Sequence, residues 1–141
     1  MSGAVPGPML MLIVDASTLY EVVTTTARGR VIDLRLQQDS NWAAPHIVDV
    51  EVFGVIRRDF RLGRLDRTGA SLGLQNLRSW PGERFGHRAF LERAWDFRNN
   101  VRGSDAMYVA LAEALNGTLI TTDQRLARAA GSYCAVEVAP A

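Results

Sequence analysis

The sequence predicts a single α/β domain built on a parallel β-sheet. Two segments of strand length, an apolar one at residues 10–14 and one of Thr, Leu and Ile at residues 118–122, alternate along the chain with longer segments of helical periodicity. The chain has 141 residues, of which 48% are hydrophobic, enough for one core that needs no cross-link. An acid follows each strand segment, Asp15 after the first and Asp123 after the second. Because ligands bind beyond the carboxyl ends of the strands in such sheets, the two acids mark the predicted functional edge.

The first half of the chain is predicted to form one strand and four helices. Ser17 is placed to cap a helix that runs to about residue 26, and Gly29 is expected to separate it from a second helix ending at residue 38. Pro45 opens a longer helix to about residue 62, with apolar residues at the spacing of one helix face. A fourth helix is predicted over residues 66–79. Its expected inward positions are Leu72, Leu74 and Leu77.

The second half is predicted to alternate between helices and strands. A helix over residues 88–99 carries Trp95, whose apolar neighbours favour packing in the core or at a dimer interface. Ser104 is placed to cap the next helix, and Asn116 with Gly117 is a typical helix end. The remaining predicted elements are a helix over residues 105–115, a strand over 118–122, a helix over 124–130 and a strand over 133–138.

The N-terminal residues and the cysteine content bear on location. Residues 1–8 are rich in Gly and Pro and predict a flexible extension, so the folded domain is expected to span residues 9–141. The apolar run that follows ends at Asp15 and is too short for a signal-peptide core or a membrane span. The single cysteine, Cys134, excludes an internal disulfide framework and fits a reducing compartment. We therefore expect a cytoplasmic protein without a membrane segment.

All sixteen basic residues are arginines, which excludes several enzyme classes. A P-loop and Schiff-base catalysis each require a lysine, and the chain has none. A receiver domain, which is a phosphoacceptor of similar α/β build, also needs a lysine near its aspartate. A haloacid-dehalogenase-like phosphohydrolase needs a second acid two residues after Asp15, but that position is Ser17.

Four carboxylates lie in or beside core-forming segments and are the candidate active-site groups: Asp15, Glu51, Asp105 and Asp123. Acids that converge in a fold repel one another and raise each other's pKa, and a hard divalent cation removes that cost. Such a site activates water and stabilises the leaving oxygen of a phosphodiester without any special nucleophile. The sequence therefore predicts a site for Mg²⁺ or Mn²⁺ at these acids.

Each acid also has a purely structural interpretation. Asp15 and Asp123 are placed to cap the helices that follow them, and Asp105 suits the first turn of a helix because of the helix dipole. Taken one at a time, these interpretations are at least as strong as the catalytic one. Four such placements in one α/β domain favour a site.

The residues around these acids resemble PIN-domain ribonucleases, in particular the VapC toxins of bacterial toxin–antitoxin pairs. The matching segments are residues 13–17, 50–52, 104–113 and 119–127, and the similarity in motif order extends over about residues 9–138. The resemblance implies a parallel sheet sandwiched by helices. It implies that Asp15, Glu51, Asp105 and Asp123 form an acidic quartet. Of these, Asp15, Asp105 and Asp123 would bind the metal, and the hydroxyl of Ser17 or Thr121 would steady the metal-bound waters. It also implies endonucleolytic cleavage of RNA that leaves a 5′-phosphate, a cognate antitoxin and a homodimer.

A run of arginines follows Glu51 on the same predicted helix. Arg57, Arg58 and Arg61, with Arg64 and Arg67 beyond them, recur about every third residue. This set is either a surface that binds RNA phosphates or a solvated helix face with local ion pairs. The sequence favours neither.

Two other functions remain open from the sequence. The chain could be a catalytically inactive PIN-like module that binds RNA or a partner protein, although four acids are a costly addition to a pure binder. It could also cleave DNA, since carboxylate–metal chemistry attacks any phosphodiester, and only the family resemblance favours RNA.

Overall fold

The structure, a computed structural model, describes residues 10–39 and 41–141. Five strands form one sheet in the order β3-β2-β1-β4-β5, and every neighbouring pair is parallel. The strands are β1 (Met11–Val14), β2 (Asn41–Pro45), β3 (Glu83–Phe85), β4 (Thr118–Thr121) and β5 (Ala135–Val138). The predicted α/β class with a parallel sheet is confirmed, and the predicted extension at residues 1–8 lies outside the described residues.

Seven helices connect and cover these strands. They are α1 (Ala16–Val23), α2 (Ala27–Leu36), α3 (Ile47–Arg61), α4 (Arg67–Ser79), α5 (Leu91–Asp96), α6 (Asp105–Ala114) and α7 (Gln124–Ala130). Within the described residues, no helix combines the length and apolarity needed to cross a membrane.

The core is centred on β1 and α6. Leu12, Ile13 and Val14 of β1 have no solvent-exposed surface, as expected for a central strand covered on both faces. Helix α6 packs against β1, β2 and β4, and most of its residues are buried. β1 lies between β2 on one side and β4 on the other, so the chain order reverses there. The carboxyl ends of β1 and β4 are therefore the expected location of a binding site.

Two predicted helix caps are wrong. Asp15, not Ser17, caps α1, because the Asp15 carboxylate accepts a hydrogen bond from the backbone N–H of Thr18. Ser104 occupies the cap position of α6, but its side chain makes no capping bond. Both serine hydroxyls donate instead to carboxylates of the candidate site.

Gly29 does not separate two helices but lies inside α2. A Cβ at this position would lie 1.8 Å from the carbonyl oxygen of Glu21 in α1. The absence of a side chain therefore allows the two helices to approach closely, and Thr26 begins α2 as its cap.

Several predicted inward positions are exposed. Leu72 and Leu74 of α4 are 40% and 39% exposed, and only Leu77 of the three is buried. Trp95 is 65% exposed, which excludes the core as its location. Its place in a dimer interface stays a prediction.

Two strands, β2 and β3, did not follow from the sequence. β2 consists of Asn41, Trp42, Ala43, Ala44 and Pro45, and β3 has only three residues. Asparagine, alanine and proline are depleted in strands. β2 pairs with the central strand β1, and this pairing, rather than the strand propensity of its own residues, stabilises β2.

Candidate active site

Asp15 follows β1 at the carboxyl end of the sheet and is only 5% exposed. Its carboxylate accepts hydrogen bonds from Thr121 Oγ1 at 2.6 Å, from Ser17 Oγ at 2.9 and 3.0 Å, and from the Thr18 backbone N–H at 3.0 Å. Burial raises the pKa of Asp15, and the hydrogen bonds from Thr121, Thr18 and Ser17 oppose that rise. Both carboxylate oxygens are therefore held in a fixed orientation at the sheet edge.

Hydroxyl groups connect the ends of β1 and β4. Ser17 Oγ donates to Asp15 and accepts from Thr122 Oγ1 at 2.7 Å. Thr121 has no exposed surface, and its hydroxyl donates to Asp15 while it accepts from the Asp123 backbone N–H at 3.0 Å. The structure thus places both supporting residues against Asp15, and it adds Thr122.

Glu51 lies in the second turn of α3 and is oriented by two hydroxyls of α6 and its cap. Tyr108 OH donates to Glu51 Oε1 at 2.6 Å, and Ser104 Oγ donates to Oε2 at 2.9 Å. Tyr108 is 1% exposed, and burial, followed by the hydrogen bond to Glu51, raises the pKa of its hydroxyl. The hydroxyl therefore remains a protonated donor to Glu51.

Asp105 is the first residue of α6 and is half-buried. Burial raises its pKa most, and the negative charges of Glu51, Asp15 and Asp123 raise it further. The guanidinium of Arg125 acts in the opposite direction. The charges of the other three predicted acids thus act on Asp105, although the four acids come from four separate segments of the chain.

Asp123 follows β4 and caps α7. Its Oδ1 atom accepts hydrogen bonds from the backbone N–H groups of Arg125 at 2.9 Å and Leu126 at 3.2 Å. No described residue donates a hydrogen bond to Oδ2. One oxygen of Asp123 therefore serves the helix, and the other is available for a ligand.

The four acids fit a divalent cation in donor type. Carboxylate oxygens are the ligands that Mg²⁺ and Mn²⁺ prefer, and the mutual repulsion at Asp105 is the electrostatic cost that a cation would relieve. In the described part of the chain, no three His, Cys, Asp or Glu side chains are grouped tightly enough to hold a metal ion by themselves. Mg²⁺ does not require such a cage, because it usually binds one or two carboxylates and completes its shell with water and substrate phosphates.

The three predicted RNA-binding arginines at the C-terminal end of α3, which we call the α3 strip, lie away from these acids. Arg57, Arg58 and Arg61 are exposed and follow Glu51 by six to ten residues, which corresponds to about 9–15 Å along the helix. Arg58 is 3.6 Å from Asp59, so part of its charge is paired locally. The structure does not bring the α3 strip into contact with the acids.

Sequence reasoning missed the residues that orient Glu51. Ser104 and Tyr108 are four residues apart and therefore share one face of α6 with Asp105. That spacing was visible in the sequence, but their partner on α3 was not. Ser104 was assigned to the helix cap, which is the commoner use of a serine at that position.

Known proteins resemble this chain in sequence and in fold. A model of the PIN domain matches residues 12–132, a segment that contains all four acids. Ribonuclease VapC9 of Mycobacterium tuberculosis is 35% identical over 133 residues, covering 92% of this chain and 99% of the relative. Ribonuclease VapC3 of the same organism is 37% identical over 123 residues, covering 86% of this chain and 89% of the relative. Among solved structures, PAE2754 from Pyrobaculum aerophilum matches with a TM-score of 0.64 and 25% identity, covering 90% of this chain and 83% of that one.

Proposed function

The chain belongs to the PIN-domain family, and we propose that it is a metal-dependent endoribonuclease that acts as the toxin of a toxin–antitoxin pair. Relatives named ribonucleases, at 35% and 37% identity over most of their length, support cleavage of RNA. The observation that carries the proposal is the position of Asp105 at the start of α6, where burial raises its pKa and the charges of the other three acids raise it further. Groups with perturbed pKa values cluster at functional sites, and a ligand shared by the four acids would relieve their repulsion.

The proposed ligands of Mg²⁺ or Mn²⁺ are drawn from Asp15, Asp105 and Asp123, with Glu51 beside them. One or two of these carboxylates would bind the ion directly, and water and substrate phosphate would complete its shell. A bound divalent ion supplies a nucleophile at neutral pH and stabilises charge on the leaving oxygen of the phosphodiester. The hydroxyls of Ser17 and Thr121 hold the Asp15 carboxylate in one orientation. Tyr108 and Ser104 do the same for Glu51 and place it as the group that can accept a proton from the attacking water.

The proposal includes partners and location. RNA is the substrate, a cognate antitoxin protein blocks the site, and the chain acts in the cytoplasm as a homodimer. The exposed Trp95 and Leu91 of α5, at 65% and 52% exposure, supply apolar surface of the kind found at protein interfaces. The oligomeric state is measured by light scattering of the purified chain.

The test uses the full chain purified without antitoxin and incubated with total bacterial RNA in Mg²⁺, Mn²⁺ or EDTA. We expect discrete fragments with 5′-phosphate ends that require the metal and disappear in Asp105→Asn. The matched control is Glu113→Gln, which removes an acid from the same helix. Glu113 pairs with Arg93 at 2.7 Å, and its carboxylate is not among those that act on Asp105. Glu113→Gln should therefore cut like the parent.

Intact RNA in both metals, or cleavage by Asp105→Asn at the parent's rate, would contradict the proposal. RNA association without metal-dependent fragments would instead support the alternative, an inactive PIN-like module that binds RNA or a partner. Parallel reactions on single-stranded and double-stranded DNA test whether RNA is the preferred substrate.

A further inference from the structure

A small cavity of about 70 Å³ adjoins Asp105 on the side of α7. Its lining includes the apolar side chains of Val101, Leu126 and Ala129 together with Asp105 and two arginines, Arg102 and Arg125. The cavity therefore combines a carboxylate of the candidate active site with two positive charges from different segments of the chain.

The backbones of both arginines are bonded to site acids. The Arg102 carbonyl oxygen accepts a hydrogen bond from the Asp105 N–H at 2.9 Å. The Arg125 N–H donates to Asp123 Oδ1 at 2.9 Å. The Cα positions of Arg102 and Arg125 are thus fixed relative to Asp105 and Asp123, although their side chains are exposed.

Neither guanidinium has a partner among the described residues. Arg35 bonds two carboxylates, Asp39 and Glu137, whereas no hydrogen bond or ion pair involves the side chain of Arg102 or Arg125. Arg125 lines the same cavity as Asp105, and its positive charge opposes the rise in the pKa of that carboxyl. Two arginines beside the active-site carboxylates are therefore available to bind an anion.

We propose that Arg102 and Arg125 form a phosphate subsite that holds a phosphodiester of the substrate RNA next to Asp105. This inference rests on the proposed ribonuclease function. One bound divalent ion leaves the four carboxylates with a net negative charge, which repels a polyanion, so further positive charge close to the cleavage point favours the approach of the substrate. Arginine suits this task because its planar fork makes bidentate hydrogen bonds to phosphate oxygens. The α3 strip does not lie next to Asp105, since it begins about 9 Å beyond Glu51 along α3.

The test measures RNA binding separately from cleavage. Full-length chain carrying Asp123→Asn, in EDTA, prevents cleavage while asparagine still caps α7. Binding of a fluorescein-labelled single-stranded RNA of about 20 nucleotides is followed by anisotropy from about 50 to 200 mM salt. Arg102→Gln and Arg125→Gln should each reduce the slope of log K against log salt by about 0.7, and the double variant by about 1.4.

Two controls separate charge from fold. Arg102→Lys with Arg125→Lys keeps both charges and should retain the parent slope while losing bidentate geometry. Arg78→Gln removes an exposed arginine at the end of α4, outside the cavity, and should leave the slope unchanged. Thermal unfolding should be the same in all variants, because neither cavity arginine bonds a described residue through its side chain.

The result that overturns the subsite is an unchanged salt slope in Arg102→Gln with Arg125→Gln, or no RNA binding by the Asp123→Asn chain. Cleavage by the parent chain, assayed in parallel with Mg²⁺, keeps the two proposals distinct. If the parent cuts RNA and the slope does not change, the subsite is wrong and the ribonuclease stands. If the slope falls as expected and the parent does not cut, the arginines bind RNA and the nuclease proposal is wrong.

Discussion

Replacing Tyr108 by phenylalanine tests whether Glu51 must be held in place. The change removes one oxygen atom and leaves the ring, which is 1% exposed, in its packing position within α6. What is lost is the 2.6 Å hydrogen bond from the hydroxyl to Glu51 Oε1. Glu51 keeps its 2.9 Å bond from Ser104 Oγ, so the carboxylate stays near its place but gains rotational freedom.

The expected effects on stability and on rate differ in size. A hydrogen bond to a charged group contributes about 1.5–3 kcal/mol. Because Glu51 is only half-buried, water replaces part of this bond in the variant, and we expect a loss of roughly 1 kcal/mol in unfolding free energy. For catalysis, we expect the whole contribution of this hydrogen bond to be lost, because the bond fixes the orientation of Glu51. At about 1.4 kcal/mol per factor of ten, kcat/KM should fall about 10- to 100-fold.

Tyr20→Phe is the matched control. Tyr20 OH donates to Asp59 Oδ2, also at 2.6 Å, and neither side chain is hydrogen-bonded to a candidate acid. Tyr20→Phe should reduce stability at least as much as Tyr108→Phe, because Asp59 Oδ1 is buried without a hydrogen bond and has only the longer ion pairs to Arg58 and Arg64, at 3.6 and 3.8 Å. The assay combines urea unfolding with cleavage of a fluorophore–quencher RNA over a range of Mg²⁺ concentrations. Equal cleavage rates in the two variants, or a Tyr108→Phe rate within about twofold of the parent, would refute the positioning role of Tyr108.

Three further predictions concern the α3 strip, helix packing and metal binding. Arg58→Ala with Arg61→Ala should reduce RNA affinity more at low salt than at high salt. The change in salt slope should be smaller than for the two cavity arginines, because Arg58 lies 3.6 Å from Asp59. An equal change in slope would favour the α3 strip as the main phosphate contact. Gly29→Ala should cost more than about 2 kcal/mol in urea unfolding, because its Cβ would meet a backbone carbonyl oxygen at 1.8 Å. Gly54→Ala, with nothing within 4 Å of the new Cβ, should instead stabilise α3 by about 0.5–1 kcal/mol. Mn²⁺ at about ten times its dissociation constant should stabilise the parent by ~1.4 kcal/mol, which corresponds to a rise in melting temperature of a few degrees. The Asp105→Asn variant should not show this rise. The same rise in both proteins would count against Asp105 as a ligand.

The helices and the two central strands could be predicted because their own residues determine them. β1 and β4 are apolar runs followed by an acid, and α3 has its apolar residues on one face. β2 and β3 depend instead on pairing with strands that are distant in sequence, and their residues have low strand propensity. Periodicity cannot detect such strands, since the support comes from tertiary contacts.

The sequence predicts more buried positions on α4 than the structure shows, for a similar reason. α4 packs mainly against α1 and α3 rather than against the sheet. The contact is narrow: Gly73 and Leu77 are buried, and a Cβ at Gly73 would lie 3.2 Å from Ile56 and Thr24. Leu72 and Leu74 flank this line and remain exposed. Apolar spacing predicted the helix, but only the neighbouring elements decide how much of it is covered.

The structural and the catalytic interpretations of the acids turn out to be compatible. Asp15 and Asp123 do cap α1 and α7, and Asp105 does begin α6. Each helix start offers backbone N–H groups and a positive dipole end, which stabilise a negative charge by about 0.3–1 kcal/mol. The fold thus offsets part of the repulsion among its acids at the sheet edge itself. Glu51, on the second turn of α3, has no such support, and the hydroxyls of Tyr108 and Ser104 supply it instead. For this reason the loss of either hydroxyl should affect Glu51 specifically, and the loss of a cap should affect folding and site together.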